Sequence, residues 1–277
     1  MTIEIRAPRT VEEFRDLEWL QQDVWQIPTG FEPAETLVTI YKNGGVVLAA
    51  YDSASSRRVV GFAFGFLGRT AEGQLKHTSH MLGVLDAYRD RGLGTELKLA
   101  QREAVLAQGL ELMTWTFDPL ESRNARLNLS KLGAVTKTYV PNHYGDMGGV
   151  NEGLTSDRFQ VDWFLASRRV ERRLKGEKPF QVSDLRSRGV RVLNPPKPGG
   201  DLRPSEDPMS FDQAELLVQI PSDFQQLKVV DIALAKAWRE HTKSLFTKAF
   251  DLGYTATEFL FEAGESYYLL ERDWSLE

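Results

Sequence analysis

Residues 84–95 run Val84-Leu85-Asp86-Ala87-Tyr88-Arg89-Asp90-Arg91-Gly92-Leu93-Gly94-Thr95, and the way this stretch reads decides the fold. A strand is expected from about residue 76 to 85, leading into it. Beyond it Leu97, Ala100, Ala104 and Ala107 recur at helical spacing, with Glu96, Lys98, Arg102 and Glu103 expected to face water. A strand therefore enters a tight turn containing two glycines and leaves it as an amphipathic helix. The first N–H groups of a helix lack intrahelical acceptors, and the helix dipole is positive there. Glycines remove the side chains that would keep a phosphate from those groups. The turn is suited to an anion, and Arg89 and Arg91 add charge beside it.

A nucleoside-triphosphate loop needs G-x-x-x-x-G-K-[ST]; neither that spacing nor its lysine is present. A dinucleotide fingerprint needs a third glycine and an earlier place in the chain. Upstream, Ile3 and Ile5 open a short strand, and Thr10 with Glu13 predicts a capping box before a helix carrying Phe14, Leu17, Leu20 and Val24 on one face. A second helix is predicted over residues 34–41 behind Pro33, and strands over 46–51 and 59–67. In the latter, Phe62, Phe64 and Phe66 share one face and Gly61, Ala63 and Gly65 the other, which lets another backbone, a helix or a ligand approach closely. Downstream come a strand at 112–117, a helix at 122–132 closed by Gly133, and a strand at 159–165. The class is mixed α/β, with a parallel pair implied across the helix after residue 94.

Composition narrows the function classes. A core is well supplied by 42% apolar residues, and a net charge of −5 argues against binding nucleic acid through bulk charge. Without cysteine there is no disulfide, no thiolate metal site and no cysteine nucleophile. The four histidines, His77, His80, His143 and His241, form no H-x-x-x-H pair, so no metal is expected. The opening residues lack the apolar region of a secretory signal, and no apolar stretch is long enough to span a bilayer, so a cytoplasmic protein is expected.

The wider pattern V-x-x-x-Y-R-x-x-G-x-G, in a strand-helix-helix-strand-strand-strand frame, resembles the acyl-coenzyme-A-binding motif of the GNAT superfamily of N-acetyltransferases. Asn124-Ala125 followed by Lys131-Leu132-Gly133 is similar to that family's next helix, and the resemblance covers about residues 3–165. It implies a GNAT-like, centrally splayed β-sheet flanked by helices. It further implies that Arg89, Asp90, Arg91, Gly92, Leu93, Gly94 and Thr95 hold a coenzyme A pyrophosphate. A free N–H of Val84 or Leu85 would polarise the thioester carbonyl, and the acceptor amine would attack directly.

Two positions depart from the family pattern. Asp86 stands where many members have proline, and Leu129 where many have a tyrosine acid for the departing thiolate. Tyr144 and Tyr139 are the candidate replacements, Tyr144 favoured. His77 and His80, three apart on a strand, face opposite sides; His80 is the candidate base and His143 the second. Asn124 and Asn128, four apart, are candidate cofactor contacts on one helix face. Arg123 and Arg126 are candidates for a carboxylate on the acceptor or the acyl group. Residues 144–154 form a glycine-rich loop suited to a lid.

The chain is expected to divide into residues 1–175, a Pro/Gly-rich linker at 176–210, and a C-terminal α+β, GNAT-like half at 211–277 used for packing or dimerisation. In that half a long helix is predicted to present Leu227, Val230, Leu234, Trp238, His241, Leu245, Ala249 and Leu252 on one stripe. The function expected is transfer of an acetyl or succinyl group from acetyl-CoA or succinyl-CoA to a small-molecule amine, an amino acid among the candidates, by a homodimer. The alternative is an inactive acyl-coenzyme-A-binding module.

Overall fold

The computed structural model describes residues 3–25, 30–54, 59–145, 153–178, 180–195, 203–204 and 209–276. Two compact units emerge, Met1–Trp115 with Phe164–Ala166, and Thr116–Trp163 with Ser167–Glu277. This differs from the division expected at residues 175 and 210, because residues 116–163 join the C-terminal segment.

The first unit follows the expected order: β1 (Ile3–Arg6), α1 (Val11–Trp25), α2 (Ala34–Lys42), β2 (Val46–Asp52), β3 (Val59–Arg69), β4 (Leu75–Val84), α3 (Leu93–Ala107) and the start of β5 (Leu112–Phe117). Strands β1 to β4 pair antiparallel in sequence, and β4 pairs with β5 in parallel. One face of this sheet is covered by α1 and α2, whose Phe14, Leu17, Leu20 and Leu37 cluster with Phe62 and Phe64. On the other face Leu93 and Leu97 of α3 cluster with Ala50, Val60, Ala63 and Val84. A Cβ on Gly61 would sit 3.2 Å from Leu97 Cδ1, so the small-residue face of β3 does serve close helix packing. The expected capping box is half formed: Glu13 N–H donates to Thr10 Oγ1, but the Glu13 carboxylate turns to Arg6 and the Arg9 N–H.

Gly65 is demanding in another way. A Cβ there would overlap the Thr78 carbonyl oxygen and His77 Nε2, and lie 2.9 Å from Ser79 Cα. Two of those three neighbours are backbone and cannot rotate away. Gly65→Ala is expected to lower stability by about 3 kcal/mol, read as a fall of several degrees in Tm by calorimetry.

In the second unit α4 (Ser122–Ala125) runs into a π-helical segment, Arg126–Lys131. Then come β6 (Val135–Val140), β7 (Arg158–Phe164), α5 (Arg168–Leu174), α6 (Val182–Ser187), β8 (Glu215–Ile220), α7 (Phe224–Val230), α8 (Ile232–Asp251), β9 (Tyr254–Glu262) and β10 (Glu265–Arg272). The strands lie in the order β7-β6-β9-β10-β8, all antiparallel. Thr136 of β6 pairs with Ala256 of β9, so the C-terminal strands extend the sheet that β6 and β7 begin. The expected linker is partly folded: Val182 and Leu185 of α6 and Val190 pack on Leu217, Leu260 and Leu269.

The long tail helix is two helices. Asp231 breaks it at φ −147° and ψ 87° and caps α8 by accepting from the Leu234 N–H. The buried stripe of α8 is Ala235, Trp238, Arg239, Thr242, Leu245, Phe246 and Ala249, while Val230 and Leu252 are exposed. Arg239 is tolerated inside because it meets both oxygens of Asp118, at 2.8 and 2.5 Å.

Candidate active site

The decisive turn lies wholly in the first unit. After β4 the chain makes one 3₁₀ turn, Asp86–Tyr88, and reaches Gly92, which caps α3 at φ +88°. That left-handed geometry explains a glycine at position 92. Gly94 has no such need: a Cβ there would meet only Leu82 Cδ2, at an ordinary 3.7 Å. Neither packing nor backbone strain accounts for a glycine at position 94. The N–H groups of Thr95 and Glu96 already bond the Gly92 carbonyl. Those of Gly92, Leu93 and Gly94 have no acceptor among the described residues.

Side chains around the turn hold its shape. The Tyr88 hydroxyl donates to Asp52 at 2.8 Å. Arg89 pairs with Asp86 at 2.5 Å and donates from Nε to the Val84 carbonyl at 3.1 Å. The aspartate at position 86 thus anchors the arginine. Arg89 is a positioning group for the turn as much as a charge beside it, while Arg91 is exposed.

The edge of β4 away from β3 is unpaired beyond Thr78 among the described residues. Its parallel ladder with β5 comprises His77↔Met113 and Thr78↔Thr114, so Ser79 and Met81 through Val84 pair on the β3 side alone among the described residues. The Leu85 N–H is not free; it donates to the Val60 carbonyl at 3.0 Å, which corrects the expectation for that residue. Because antiparallel ladders alternate, the N–H groups of Val84 and Leu82 then point away from β3. The outward Val84 carbonyl that Arg89 caps fits this alternation. Leu82, at the start of the segment expected to pair with the cofactor arm, thus offers a second outward N–H beside that of Val84.

The two strand histidines do face opposite sides. His80 is the extra residue of a β-bulge, since Phe64 pairs with Met81 and Gly65 with Ser79. Its half-exposed ring lies 5.4 Å from Phe64 and 5.9 Å from Phe66, and Nε2 is 3.8 Å from the Glu32 carboxylate. The fully buried Gln21 fixes Glu32 by bonding both its N–H and its carbonyl, at 2.8 and 3.0 Å. Glu32 carried no motif and was not anticipated.

His77 lies on the α3 side in a buried polar chain. Lys98 Nζ donates to Ser79 Oγ at 2.8 Å, Ser79 Oγ to Gln101 Oε1 at 2.9 Å, and the Gln101 amide lies 3.2 Å from His77 Nε2. Lys98, expected to face water, is only 4% exposed, and its amine sits 3.7 Å from the Trp115 ring centroid. The buried stripe of α3 is Leu93, Leu97, Lys98, Gln101 and Val105, not the alanines, because polar Ser79 and His77 on β4 receive Lys98 and Gln101. Desolvation pushes the Lys98 amine down to about 7. Burial, and then the nearby Lys98, pushes His77 down to about 4.

The remaining candidates belong to the second unit. Tyr139 donates to Asp157 at 2.6 Å, and burial together with that carboxylate raises its pKa well above the usual phenol value. A proton so held suits a general acid poorly. Tyr144 is 52% exposed, with its hydroxyl 3.3 Å from Thr116 Oγ1 and His143 packed edge-on at 4.4 Å. Leu129 is fully buried. Asn124 is exposed whereas Asn128 is 3% exposed, so the two do not share a face as expected. The π-helical segment is the cause: the Leu132 N–H reaches back five residues to Leu127, widening each turn past the four-residue repeat. Asn128 makes no side-chain hydrogen bond among the described residues. Arg123 and Arg126 are exposed on the same segment. Of the glycine-rich stretch, residues 146–152 lie outside the described residues.

Among the described residues no helix is long and apolar enough to cross a membrane, and no group of three His, Asp or Glu could hold a metal ion. No family model and no curated protein sequence matches the chain. Among solved structures it is similar to a GNAT-family acetyltransferase from Streptococcus pneumoniae, with 15% identity over 58% of this chain and 98% of that one and a TM-score of 0.47. It is also similar to aminoglycoside 6'-acetyltransferase type Ii, at 19% over 61% and 99% with a TM-score of 0.47. A third likeness is to the NatC complex bound to Gag peptide and CoA, at 15% over 58% and 98% with a TM-score of 0.48. The likeness is one of structure, over about three-fifths of the chain's length.

Proposed function

We propose that the chain is an acyl-coenzyme-A-dependent N-acyltransferase of the GNAT type, moving an acetyl or succinyl group to the amine of a small molecule. The observation that carries this is the start of α3. The backbone N–H groups of Gly92, Leu93 and Gly94 have no acceptor among the described residues, and Gly94 leaves room there that neither packing nor strain explains. Gly92, Leu93 and Gly94 would hold the pyrophosphate, with Asp90, Arg91 and Thr95 completing the turn and Arg89 fixing it. The outward N–H groups of Leu82 and Val84 would hold the arm and polarise the acyl carbonyl. Bound acyl-coenzyme A supplies an activated thioester. In this reading His80, steadied by Glu32, takes the proton of the acceptor amine, and Tyr144 supplies the proton for the departing thiolate. Asn128 offers an unused amide to the cofactor, with Asn124 beside it in sequence, and Arg123 and Arg126 offer charge to a carboxylate on the acceptor.

A second reading, an acyl-coenzyme-A-binding module without turnover, is favoured by Leu129, buried where the family pattern has an acid. Free thiol released from acetyl- or succinyl-coenzyme A in the presence of an amine panel separates the two readings. Tyr144→Phe is expected to lower kcat about 100-fold with coenzyme A affinity retained. Tight coenzyme A binding with no thiol released from any donor would establish the module instead.

A further inference from the structure

Lys98 is unexplained by anything so far. The β4–β5 ladder stops at Thr78↔Thr114, and the next residue on each strand is Ser79 and Trp115. Lys98 reaches both from α3: Nζ lies 2.8 Å from Ser79 Oγ and 3.7 Å from the centre of the Trp115 ring. The amine therefore lies at the point where the two strands part, beside the first residue of each beyond the ladder.

An ammonium has three donors; among the described residues one meets Ser79 Oγ and the Trp115 ring face lies against the amine, so neither contact supplies a negative charge. No carboxylate pairs with it among the described residues. Ser79 cannot offer a charge, and its own proton is committed to Gln101. The chain ends at His77, whose Nδ1 is buried without a partner. The cluster is thus rich in donors and, among the described residues, lacks an anionic acceptor. Leu93 and Leu97 flank the position on α3, and an apolar residue at 98 would fill the same space without desolvating an amine. What would compensate Lys98 is an anion brought from outside.

We propose that the point where the strands part, formed by Lys98, Ser79 and Trp115, is a subsite for the far end of the acyl group and selects one that ends in a carboxylate. The inference rests on the acyltransferase reading and sharpens its donor class. A carboxylate reaching Lys98 makes charge-assisted hydrogen bonds with the unused donors and restores the charged form of the amine. The apolar stem of the acyl chain packs on the Trp115 ring, and a methyl-ended acyl group of equal length leaves the donors unmet.

Calorimetric binding of succinyl-coenzyme A and butyryl-coenzyme A, equal in acyl length and differing in the terminal carboxylate, tests this without turnover. The wild-type protein is expected to bind the succinyl form at least about tenfold more tightly. Lys98→Met should bring that ratio to one or below, and Ser79→Ala should reduce it part of the way. Equal affinity in the wild type overturns the inference, whether or not either variant folds, as does a preference that survives Lys98→Met. Coenzyme A binding without a succinyl preference removes this inference alone. Failure of coenzyme A in every form to bind removes the acyltransferase reading with it.

Discussion

The Lys98→Met variant is expected to melt higher than the wild type at pH 7, and the gap between them to close as pH rises toward 10. The buried amine titrates at about 7 in the folded chain, against 10.5 for a free lysine. Below pH 7 it is charged in both states, and the folded state bears the full cost of desolvating it. Between those two values the unfolded chain binds more protons than the folded chain, so wild-type stability climbs with pH. The span corresponds to a cost on the order of 4–5 kcal/mol at pH 7 and below. The methionine chain fills similar volume and carries no such charge. His77 is the titratable group facing the amine; Ser79 of β4, Gln101 of α3 and Trp115 of β5 complete its surroundings. With Lys98 gone, His77 should also gain a proton at a higher pH, because the lysine charge contributes to its depression. Urea unfolding of both proteins at pH 7, 8.5 and 10 checks this, and groups elsewhere cancel in the difference. A difference that does not change with pH would mean that the amine carries no desolvation cost.

Lys98 also shows where sequence reading stops. Periodicity assigns a lysine in an amphipathic helix to water, and that rule fails when the facing strand is polar. A signal did exist: His77 and Ser79 alternate on one face of β4, and Lys98 and Gln101 stand three apart on α3. It becomes visible only once the two elements are known to face each other. The turn at Gly92 and Gly94 was legible because the requirement is local, a left-handed cap and a side-chain-free helix start written into consecutive residues. The π-helical segment was not, since nothing in the sequence of residues 126–131 marks a fifth residue per turn, and Asn128 went inward as a result. The tail helix was read through Asp231 because its apolar spacing continues on both sides; the cap appears only in the backbone angles. Residues 116–163 were grouped with the wrong half for a related reason. Strand periodicity tells which face is apolar and not which edge is paired, and β6 takes β9 as its neighbour.

Gly94→Glu is expected to weaken coenzyme A binding more than 100-fold, about 2.7 kcal/mol or more, while leaving the fold intact. The two halves of that expectation come from the same geometry. Gly94 is the second residue of α3 and has no left-handed backbone angle, so any L-residue fits. A Cβ built there meets one methyl carbon, Leu82 Cδ2, at 3.7 Å, which is ordinary contact. Replacing glycine within a helix recovers backbone entropy, so Tm should hold or rise slightly. Binding is another matter, because the new side chain would occupy the space over the N–H groups of Leu93 and Gly94 and bring a negative charge to a site suited to an anion. Gly94→Ala separates bulk from charge: it should cost about tenfold in affinity, with the larger loss appearing only in the glutamate variant. Gly92→Ala provides the contrast, since φ +88° makes that substitution strained whatever binds, and its loss should appear in Tm as well. If Gly94→Glu binds coenzyme A as the wild type does, the pyrophosphate does not lie on the start of α3, and the glycine at position 94 has no role in the site.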